Sequence, residues 1–339
     1  QTWLNYGDRA LVDRHYPAMQ EWMGYVERYM KDGLLTRWPD TPYRDWFLGD
    51  WLAPHGVDTG SEASVSLVNN CFVSDCYARM AQMARLTGHD DEAAAFEARR
   101  EALNRTIHAR FYDPATQTYA TGSQLDMTYP MLVGATPDSL RAGVEQRLFR
   151  LTHDVMKDHI GGGLVGVPVI TRWAVRSHNP EFIYRMLKQR GYPGYLHMID
   201  HGATATWEYW SGERSRVHNC YNGIGTWFYQ ALGGLRTDSS HPGYEHVFID
   251  PQIPEGVEWC RIGKETPYGR IDLGWEIADG ELRIDVTLPP GVTATAITPA
   301  GACRGRLDGR RLAPQSPGTK IASGRHRLVF GLAPQNERQ

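Results

Sequence analysis

The chain has 339 residues, of which 41% are hydrophobic and 22% charged, a composition typical of folded proteins rather than disordered ones. This length is sufficient for two domains with cores of their own. The formal net charge of -3 provides no basic excess, which excludes nucleic acid as the principal partner. No apolar run approaches the length of a membrane span, so no membrane partner is predicted.

Residues 1 to about 235 have the pattern of helices, because apolar side chains recur at spacings of three and four. The first predicted helix carries such a stripe at Tyr16, Met19, Met23, Val26 and Met30. A second helix is predicted over residues 63–87, with Gly88 as its stop signal. Asp90 is the predicted N-cap of a third helix, whose apolar face is interrupted by Arg100.

Two prolines mark the starts of later helices. Pro137 begins a helix whose apolar face continues to Val155, and Pro180 begins another that is predicted to end at Gly191. Further helices are predicted near residues 165–177 and 219–233. The helical part of the chain therefore contains roughly seven or eight helices.

The periodicity changes from helical to alternating near residue 236. A turn-rich segment over residues 237–243 marks the change. We therefore predict a helical domain over residues 1–235 and a β domain over residues 236–339.

A hairpin is the clearest β signal. Apolar and mostly polar residues alternate over 271–277 and again over 282–288, with a turn at Asp279 and Gly280 between them. Several short strands follow this hairpin. The pattern predicts an antiparallel β-sandwich.

Cysteine usage predicts neither a disulfide framework nor a metal site. The count is odd and the spacing irregular, at Cys71, Cys76, Cys220, Cys260 and Cys303. Cys71 and Cys76 are five residues apart on a predicted helix, which is not a zinc pattern, and we interpret both as free, buried thiols. The sequence leaves the compartment open between cytoplasm, periplasm and secretion.

The first candidate site lies in residues 46–52, where Gly49, Asp50 and Trp51 follow one another in a predicted loop. Trp51 supplies an apolar face and Asp50 a hydrogen-bond acceptor, a combination that suits a sugar. The alternative is a capping aspartate beside a core tryptophan.

The second candidate site is Glu208, which is flanked by Trp207, Tyr209 and Trp210. Aromatic walls remove water from a carboxyl group, as general acid or base chemistry near neutral pH requires. The alternative is a structural glutamate bonded to backbone amides. His218 follows ten residues later, and a single histidine is more often structural than catalytic.

In this order, the segments resemble glycoside hydrolase family 78, the α-L-rhamnosidases. The matching segments are Tyr6-Gly-Asp8, Gly49-Asp-Trp-Leu52, Tyr192-Pro193 with Gly202-Ala-Thr-Ala-Thr-Trp-Glu-Tyr-Trp210, and His218 nine residues before Trp227. Pro242-Gly-Tyr-Glu-His246, Thr266-Pro-Tyr-Gly269 and Trp275 agree as well. The similarity extends to about residue 300.

The resemblance implies an all-α (α/α)6-barrel glycosidase domain, incomplete at its N-terminus, followed by an all-β antiparallel sandwich. It implies inverting hydrolysis of terminal non-reducing α-L-rhamnosyl residues, with Glu208 as the general base. By the same resemblance, Asp50, Trp51, Trp207 and His218 line the rhamnose subsite. No metal or organic cofactor is implied, and the partner is a rhamnosylated small molecule or oligosaccharide.

One part of the family pattern is missing. The general acid of the family lies upstream of the Tyr-Gly-Asp turn, which here is at residues 6–8. Residues 40–45 faintly echo the acid segment, but Trp46 occupies the glutamate position. We therefore expect the chain to begin within the domain, with an apolar face covered by a second copy or by a complementing N-terminal segment.

Two other functions stay open on this evidence. One is a different (α/α)6-barrel exo-glycosidase that removes another terminal sugar. The other is an inactive carbohydrate-binding fragment, which the missing acid segment favours. The first would differ in sugar preference, and the second would bind sugar without turnover.

Overall fold

The computed structural model describes residues 2–37, 46–57, 62–313 and 318–332. The chain forms two compact units. One is helical and comprises Val12–Ser177 and Phe182–Ile224, and the other is rich in β-structure and comprises Gln1–Leu11, His178–Glu181 and Gly225–Gln339. The β-rich unit thus includes three segments from the predicted helical part of the sequence, the third being residues 225–235. The domain limits drawn at residues 235 and 236 stay a prediction.

Helices dominate the first two thirds of the chain. In chain order the α-helices are α1 (Thr2–Tyr6), α2 (Ala10–Glu27), α3 (Glu62–Thr87), α4 (Asp90–Phe111), α5 (Gln124–Val133), α6 (Asp138–Arg150), α7 (Gly166–Arg176), α8 (Pro180–Leu187), α9 (Tyr195–Asp200) and α10 (Gly225–Trp227). Leu151–Val155 and Phe228–Leu232 are π-helical, and Asn222–Ile224 is a 3-10 turn. The predicted helices over 63–87 and near 165–177 are confirmed as α3 and α7.

Strands occupy two small hairpins and the C-terminal part of the chain. They are β1 (Met30–Lys31), β2 (Leu34–Leu35), β3 (Tyr112–Asp113), β4 (Thr118–Tyr119), β5 (Leu235–Thr237), β6 (His246–Ile249), β7 (Trp259–Thr266), β8 (Gly269–Ala278), β9 (Glu281–Leu288), β10 (Thr293–Ile297), β11 (Ala302–Leu307), β12 (Arg310–Arg311), β13 (Gly318–Ile321) and β14 (Gly324–Leu332).

Some predicted helix ends were wrong. Met30 belongs to β1 rather than to the first long helix, because Asp32 and Gly33 both have positive φ and turn the chain into a hairpin. The helix opened by Pro180 ends at Leu187, before Gly191. The helix predicted over 219–233 is broken into 3-10, α and π turns. The helix after Pro137 becomes π-helical at Leu151, which changes its phase and leaves Val155 exposed.

Helix α5 forms the interior of the helical unit. All of its residues except Leu132 are buried, and it packs against α3, α6 and α7. Ser123 caps its N-terminus by accepting a hydrogen bond from the Asp126 amide at 3.1 Å. Gly134 ends it in the left-handed region, at φ +82°. Arg100, which interrupts the apolar face of α4, donates a hydrogen bond to the Val133 carbonyl in the last turn of α5.

The β-rich unit contains two sheets around one core. The larger has the strand order β12-β11-β14-β9-β8-β7 and the smaller β13-β10-β6-β5. All pairs in the larger sheet are antiparallel, whereas β6 and β10 of the smaller sheet pair in parallel. Inward-facing side chains of both sheets share the core: Leu235, Val247, Ile249, Ile271, Leu273, Trp275, Leu282, Ile284, Val286, Ala294, Ile321, Leu328 and Phe330.

The predicted hairpin is confirmed in the larger sheet. Strands β8 and β9 pair antiparallel around Asp279 and Gly280, which have φ values of 53° and 73°. Two consecutive positive φ values are the requirement of the two-residue turn that matches strand twist. The buried Trp275 donates its indole N–H to the Leu232 carbonyl at 2.7 Å.

Candidate active site

Asp50 joins the predicted sugar loop to the start of helix α7. Its carboxylate is 3% exposed and accepts hydrogen bonds from three backbone amides, those of Gly163 at 2.6 Å and of Val165 and Gly166 at 3.0 Å each. The first amides of a helix have no partner within it, so a carboxylate at this position stabilises the helix end. These contacts support the capping interpretation of Asp50, while its role as a sugar ligand stays a prediction.

Three consecutive glycines allow this close approach. A Cβ on Gly163 would lie 2.2 Å from the Trp51 carbonyl oxygen, and one on Gly162 would lie 2.8 Å from the backbone of Gly166. A Cβ on Gly161 would meet the side chain of Met156 at 2.8 Å. The segment is therefore needed for tight packing at the entrance to α7, and no larger residue fits without movement.

Trp51 is half-buried, and its main chain is hydrogen-bonded to the segment before α7. Its carbonyl accepts a hydrogen bond from the Leu164 amide at 2.7 Å. Together with the bonds of Asp50, this contact anchors the Gly-Asp-Trp-Leu segment to the glycine-rich turn over residues 161–163.

Trp210 connects the same turn to the segment that carries Glu208. Its indole N–H donates to the Gly162 carbonyl at 2.9 Å, and its ring stacks on Tyr221 with 4.0 Å between ring centroids. Tyr195 packs edge-on against Trp210 as well. Trp210 and Tyr221 are 1% and 0% exposed, so this aromatic stack belongs to the core beneath the site.

Tyr221 joins the two predicted segments. Its hydroxyl lies 2.8 Å from the Leu52 carbonyl oxygen and 3.0 Å from the Glu208 carbonyl oxygen. Burial raises the pKa of the Tyr221 hydroxyl, and the charges of Cys220 and Asp50 raise it further. The hydroxyl therefore keeps its proton at neutral pH and serves as a hydrogen-bond donor.

Glu208 is half-buried and lies in a segment paired with residues 215–218. Its amide donates to the Ser215 carbonyl at 2.8 Å, and its carboxylate accepts from the Ser215 amide at 3.3 Å. Burial raises the pKa of the neighbouring Cys220 thiol, and the charge of Glu208 raises it further. One carboxylate oxygen thus has a structural partner, as the alternative interpretation of Glu208 expected.

Trp207 and His218 lie at the edges of this pairing. Trp207 is 2% exposed, with the Arg216 guanidinium 5.0 Å from its ring centroid. The His218 amide donates to the Thr206 carbonyl at 2.8 Å, and the Thr206 hydroxyl donates to the His218 carbonyl. The pairing brings His218 beside the Trp207–Glu208 segment, although these contacts involve its main chain.

A small cavity of about 250 Å³ adjoins Asp50. Its lining also includes His55, Thr121, Ser123 and Leu125. This volume is slightly below the range of about 300–1,000 Å³ typical of small-molecule pockets. Four of its lining residues, Asp50, His55, Thr121 and Ser123, have side chains that can hydrogen-bond a hydroxylated ligand.

Other sequence-based expectations have simple outcomes. The faint acid echo at residues 40–45 lies outside the described residues, and Trp46 beside it is 66% exposed. Cys71, Cys76, Cys220 and Cys260 are free, as predicted for the first two, although Cys76 is only half-buried.

In the described ranges, no group of three His, Cys, Asp or Glu side chains could hold a metal ion. None of the helices described is long and apolar enough to cross a bilayer.

Sequence reasoning missed Tyr221 and the role of the three glycines. Tyr221 lies in the His218–Gly223 segment, but a tyrosine beside a cysteine carries no distinguishing signal. The glycine run has the composition of a flexible loop entering a helix. The glycine run precedes helix α7, as its composition suggested. Its tight packing, however, depends on Trp51, which lies more than a hundred residues earlier in the chain and so leaves no local signal.

Two family models match the chain. The bacterial alpha-L-rhamnosidase 6 hairpin glycosidase domain matches residues 1–232, and the bacterial alpha-L-rhamnosidase C-terminal domain matches residues 234–310. The first match alone covers more than half of the chain and includes every residue of the candidate site.

Individual relatives agree with the family models. An alpha-L-rhamnosidase of Alteromonas sp. (strain LOR) is 24% identical over 318 residues, which cover 88% of this chain and 33% of the relative. An alpha-L-rhamnosidase of Streptomyces avermitilis is 25% identical over 308 residues, which cover 87% of this chain and 28% of the relative. The chain therefore spans about a third of the length of these curated relatives.

Solved structures share the fold. The alpha-L-rhamnosidase from Dictyoglumus thermophilum superposes with a TM-score of 0.85 at 18% identity, over 96% of this chain and 38% of that one. The Streptomyces avermitilis alpha-L-rhamnosidase complexed with L-rhamnose gives 0.82 at 22% identity, over 96% and 31%. These likenesses, with the two family models, confirm the predicted fold class of a helical barrel glycosidase domain followed by a β-sandwich.

Proposed function

The chain belongs to the bacterial alpha-L-rhamnosidase six-hairpin glycosidase family, and on this basis we propose that it hydrolyses terminal non-reducing α-L-rhamnosyl residues. The observation that carries the proposal is the family match over residues 1–232, which includes the whole candidate site. The relatives that bear this activity in their names match the chain over 85–88% of its length. The substrate is accordingly a rhamnosylated small molecule or oligosaccharide.

The proposed mechanism is a single displacement with inversion at the anomeric carbon. Such a reaction uses two carboxyl groups about 6.5–9.5 Å apart, one protonating the leaving oxygen and one removing a proton from the attacking water. Glu208 is the proposed general base. Its main chain is held by Ser215 and Tyr221, which is the rigidity that a positioned base requires.

The general acid is not assigned to any residue of this chain. A substrate whose leaving group departs without protonation depends least on such an acid.

The proposed sugar subsite contains Asp50, Trp51, Trp207 and His218. Trp51 is the half-buried aromatic of the set and would cover the apolar side of the deoxy sugar. Asp50 stays a proposed sugar ligand, and its three amide bonds give it a second role in fixing the loop that carries Trp51.

Sugar preference tests the proposal against the two alternatives. p-Nitrophenyl α-L-rhamnoside and p-nitrophenyl α-D-mannoside are compared as substrates for the 339-residue chain, and binding of L-rhamnose is measured by calorimetry. We expect release of p-nitrophenol from the rhamnoside at a rate at least about tenfold above that from the mannoside. Preference for the mannoside would favour another exo-glycosidase, and rhamnose binding without release would favour a binding fragment.

A further inference from the structure

A second cavity in the helical unit, of about 590 Å³, is lined mainly by hydrogen-bond donors. Arg100 comes from α4, Arg141 and Glu145 come from α6, and Trp173 and Arg176 come from α7. The cavity shares no lining residue with the one beside Asp50. It is therefore distinct from the candidate active site.

Two buried donors at this cavity have no acceptor. Trp173 is 1% exposed, and its indole N–H forms no hydrogen bond with any of the residues described. The Nε–H of Arg100 is likewise buried without a partner in the described parts of the chain. Buried donors are paired in most native structures, so an acceptor is expected here.

The positive charge of the cavity exceeds its negative charge. Three guanidinium groups line it, and Glu145 is the one carboxylate among the lining residues described. Burial lowers the pKa of Arg176, the charges of Arg172, Arg79 and Arg100 lower it further, and the charge of Asp75 only partly opposes them. An anion in the cavity would relieve this repulsion.

The other two guanidinium groups are held in place and keep unused donors. The Nη2 atom of Arg100 donates a hydrogen bond to the Val133 carbonyl at 2.8 Å. The Nη2 atom of Arg141 donates one to the Met131 carbonyl at 3.4 Å. Each guanidinium has five N–H donors, so one such bond leaves most of them available. Arg141 lies 3.9 Å from the fully exposed Asp138, and its charge also acts on Glu145 in the cavity lining.

We propose that this cavity binds a tetrahedral oxyanion, either phosphate or sulfate. Planar guanidinium groups match pairs of oxygens on such anions, and an indole N–H supplies a neutral donor to another oxygen. The excess of arginine over carboxylate disfavours a cation. A neutral sugar would leave the excess of positive charge in the cavity lining uncompensated.

Calorimetric titration of the 339-residue chain tests the site, with sodium phosphate and sodium sulfate titrated separately at an ionic strength fixed by sodium chloride. We expect saturable binding of at least one anion, weakened by about tenfold or more in Arg176→Gln. Arg105→Gln is the matched control, since Arg105 is exposed on α4 and does not line the cavity. Arg141→Gln provides a second test at a different side chain.

Thermal unfolding gives an independent readout, because a ligand that binds only the native state raises the melting temperature. The anion should raise Tm for the parent chain and for Arg105→Gln, and should do so less for Arg176→Gln and Arg141→Gln. Equal binding by all four proteins, or no saturable binding by a folded parent chain, would overturn the proposal. In the latter case water satisfies the donors.

Discussion

The hydroxyl of Tyr221 lies 3.0 Å from the carbonyl oxygen of Glu208, and the same hydroxyl lies 2.8 Å from the carbonyl oxygen of Leu52. One side chain thus connects the segment of the proposed base to the segment of the proposed sugar loop. Because Tyr221 is fully buried and stacked on Trp210, the connection is rigid. The position of Glu208 therefore depends on a residue that has no role in the chemistry itself.

Replacing Tyr221 by phenylalanine tests this connection. Tyr221→Phe keeps the ring and its stacking but removes the one hydroxyl proton that the two carbonyls share, and we expect a loss of about 1–2 kcal/mol in the free energy of unfolding. Urea unfolding followed by circular dichroism measures it. Tyr229→Phe, at a tyrosine that is 44% exposed, should change stability little. Equal losses in the two variants would show that the bridging hydroxyl contributes nothing specific.

Asp50 is predicted to stabilise the fold as well as the proposed subsite. Asp50→Asn removes the charge that accepts three amide hydrogen bonds at the start of α7, and a loss of about 2–4 kcal/mol is expected. Chemical unfolding of the variant at neutral pH provides the measurement. If the variant kept full stability while its affinity for rhamnose fell, Asp50 would act on the substrate alone.

The tight packing of the glycine run predicts a large effect of one methyl group. Gly163→Ala would place a Cβ 2.2 Å from the Trp51 carbonyl oxygen and 2.5 Å from the Ala53 amide nitrogen, and we expect destabilisation by about 2–4 kcal/mol. Gly24→Ala is the matched control, because Gly24 is helical and no atom beyond its own helix turn lies within 4 Å of the place that a Cβ would take. There alanine should stabilise the chain by about 0.5–1 kcal/mol. Destabilisation of similar size at both positions would contradict the packing account.

The contact between α3 and α7 predicts a dependence on pH. Burial alone would raise the pKa of Asp75, but the guanidinium groups of Arg172, Arg79 and Arg176 outweigh it and hold the pKa below its usual value. Arg172 contacts both carboxylate oxygens, at 3.2 and 3.4 Å. A lowered pKa in the folded state contributes stability above the unfolded pKa of about 3.9, and this contribution is lost as the pH falls through the folded pKa.

Asp75→Asn should therefore reduce the free energy of unfolding by roughly 1–2 kcal/mol at pH 7, with the difference from the parent chain shrinking in acid. Urea unfolding at a series of pH values between neutral and strongly acidic measures the difference. Asp138→Asn is the control, since its side chain is fully exposed. A difference that stayed constant through the acid range would show that the charge of Asp75 is not responsible.

The helix spans that were predicted most accurately from the sequence are those of helices with one buried face. Helix α3 matched its predicted span because its stripe is regular and Gly88 follows it. Helix α5 was missed because it is buried on almost every side, which removes the polar face that periodicity requires. The hairpin at Asp32 and Gly33 carried a recognisable Asp-Gly turn signal, but a longer apolar stripe ending at Met30 obscured it.

Sequence patterns identified the candidate residues of the site but not the residues that hold them in place. Glu208 and Asp50 lie in aromatic-rich segments that the sequence marks by composition and by family resemblance. The contacts that hold them come from Tyr221 and Gly163, each more than a hundred residues from Asp50. Such contacts depend on the tertiary fold and leave no local pattern, so sequence reasoning identified the candidate residues but not their supports.

The proposal that Glu208 is the general base is tested most directly by Glu208→Gln. Release of p-nitrophenol from p-nitrophenyl α-L-rhamnoside is measured for the parent chain, Glu208→Gln and the exposed control Glu213→Gln, after circular dichroism has shown that all three are folded. Because nitrophenolate leaves without protonation, we expect release by the parent chain and the control, and a loss of about 100-fold or more in Glu208→Gln. Equal rates for the parent chain and Glu208→Gln would contradict the assignment of the base.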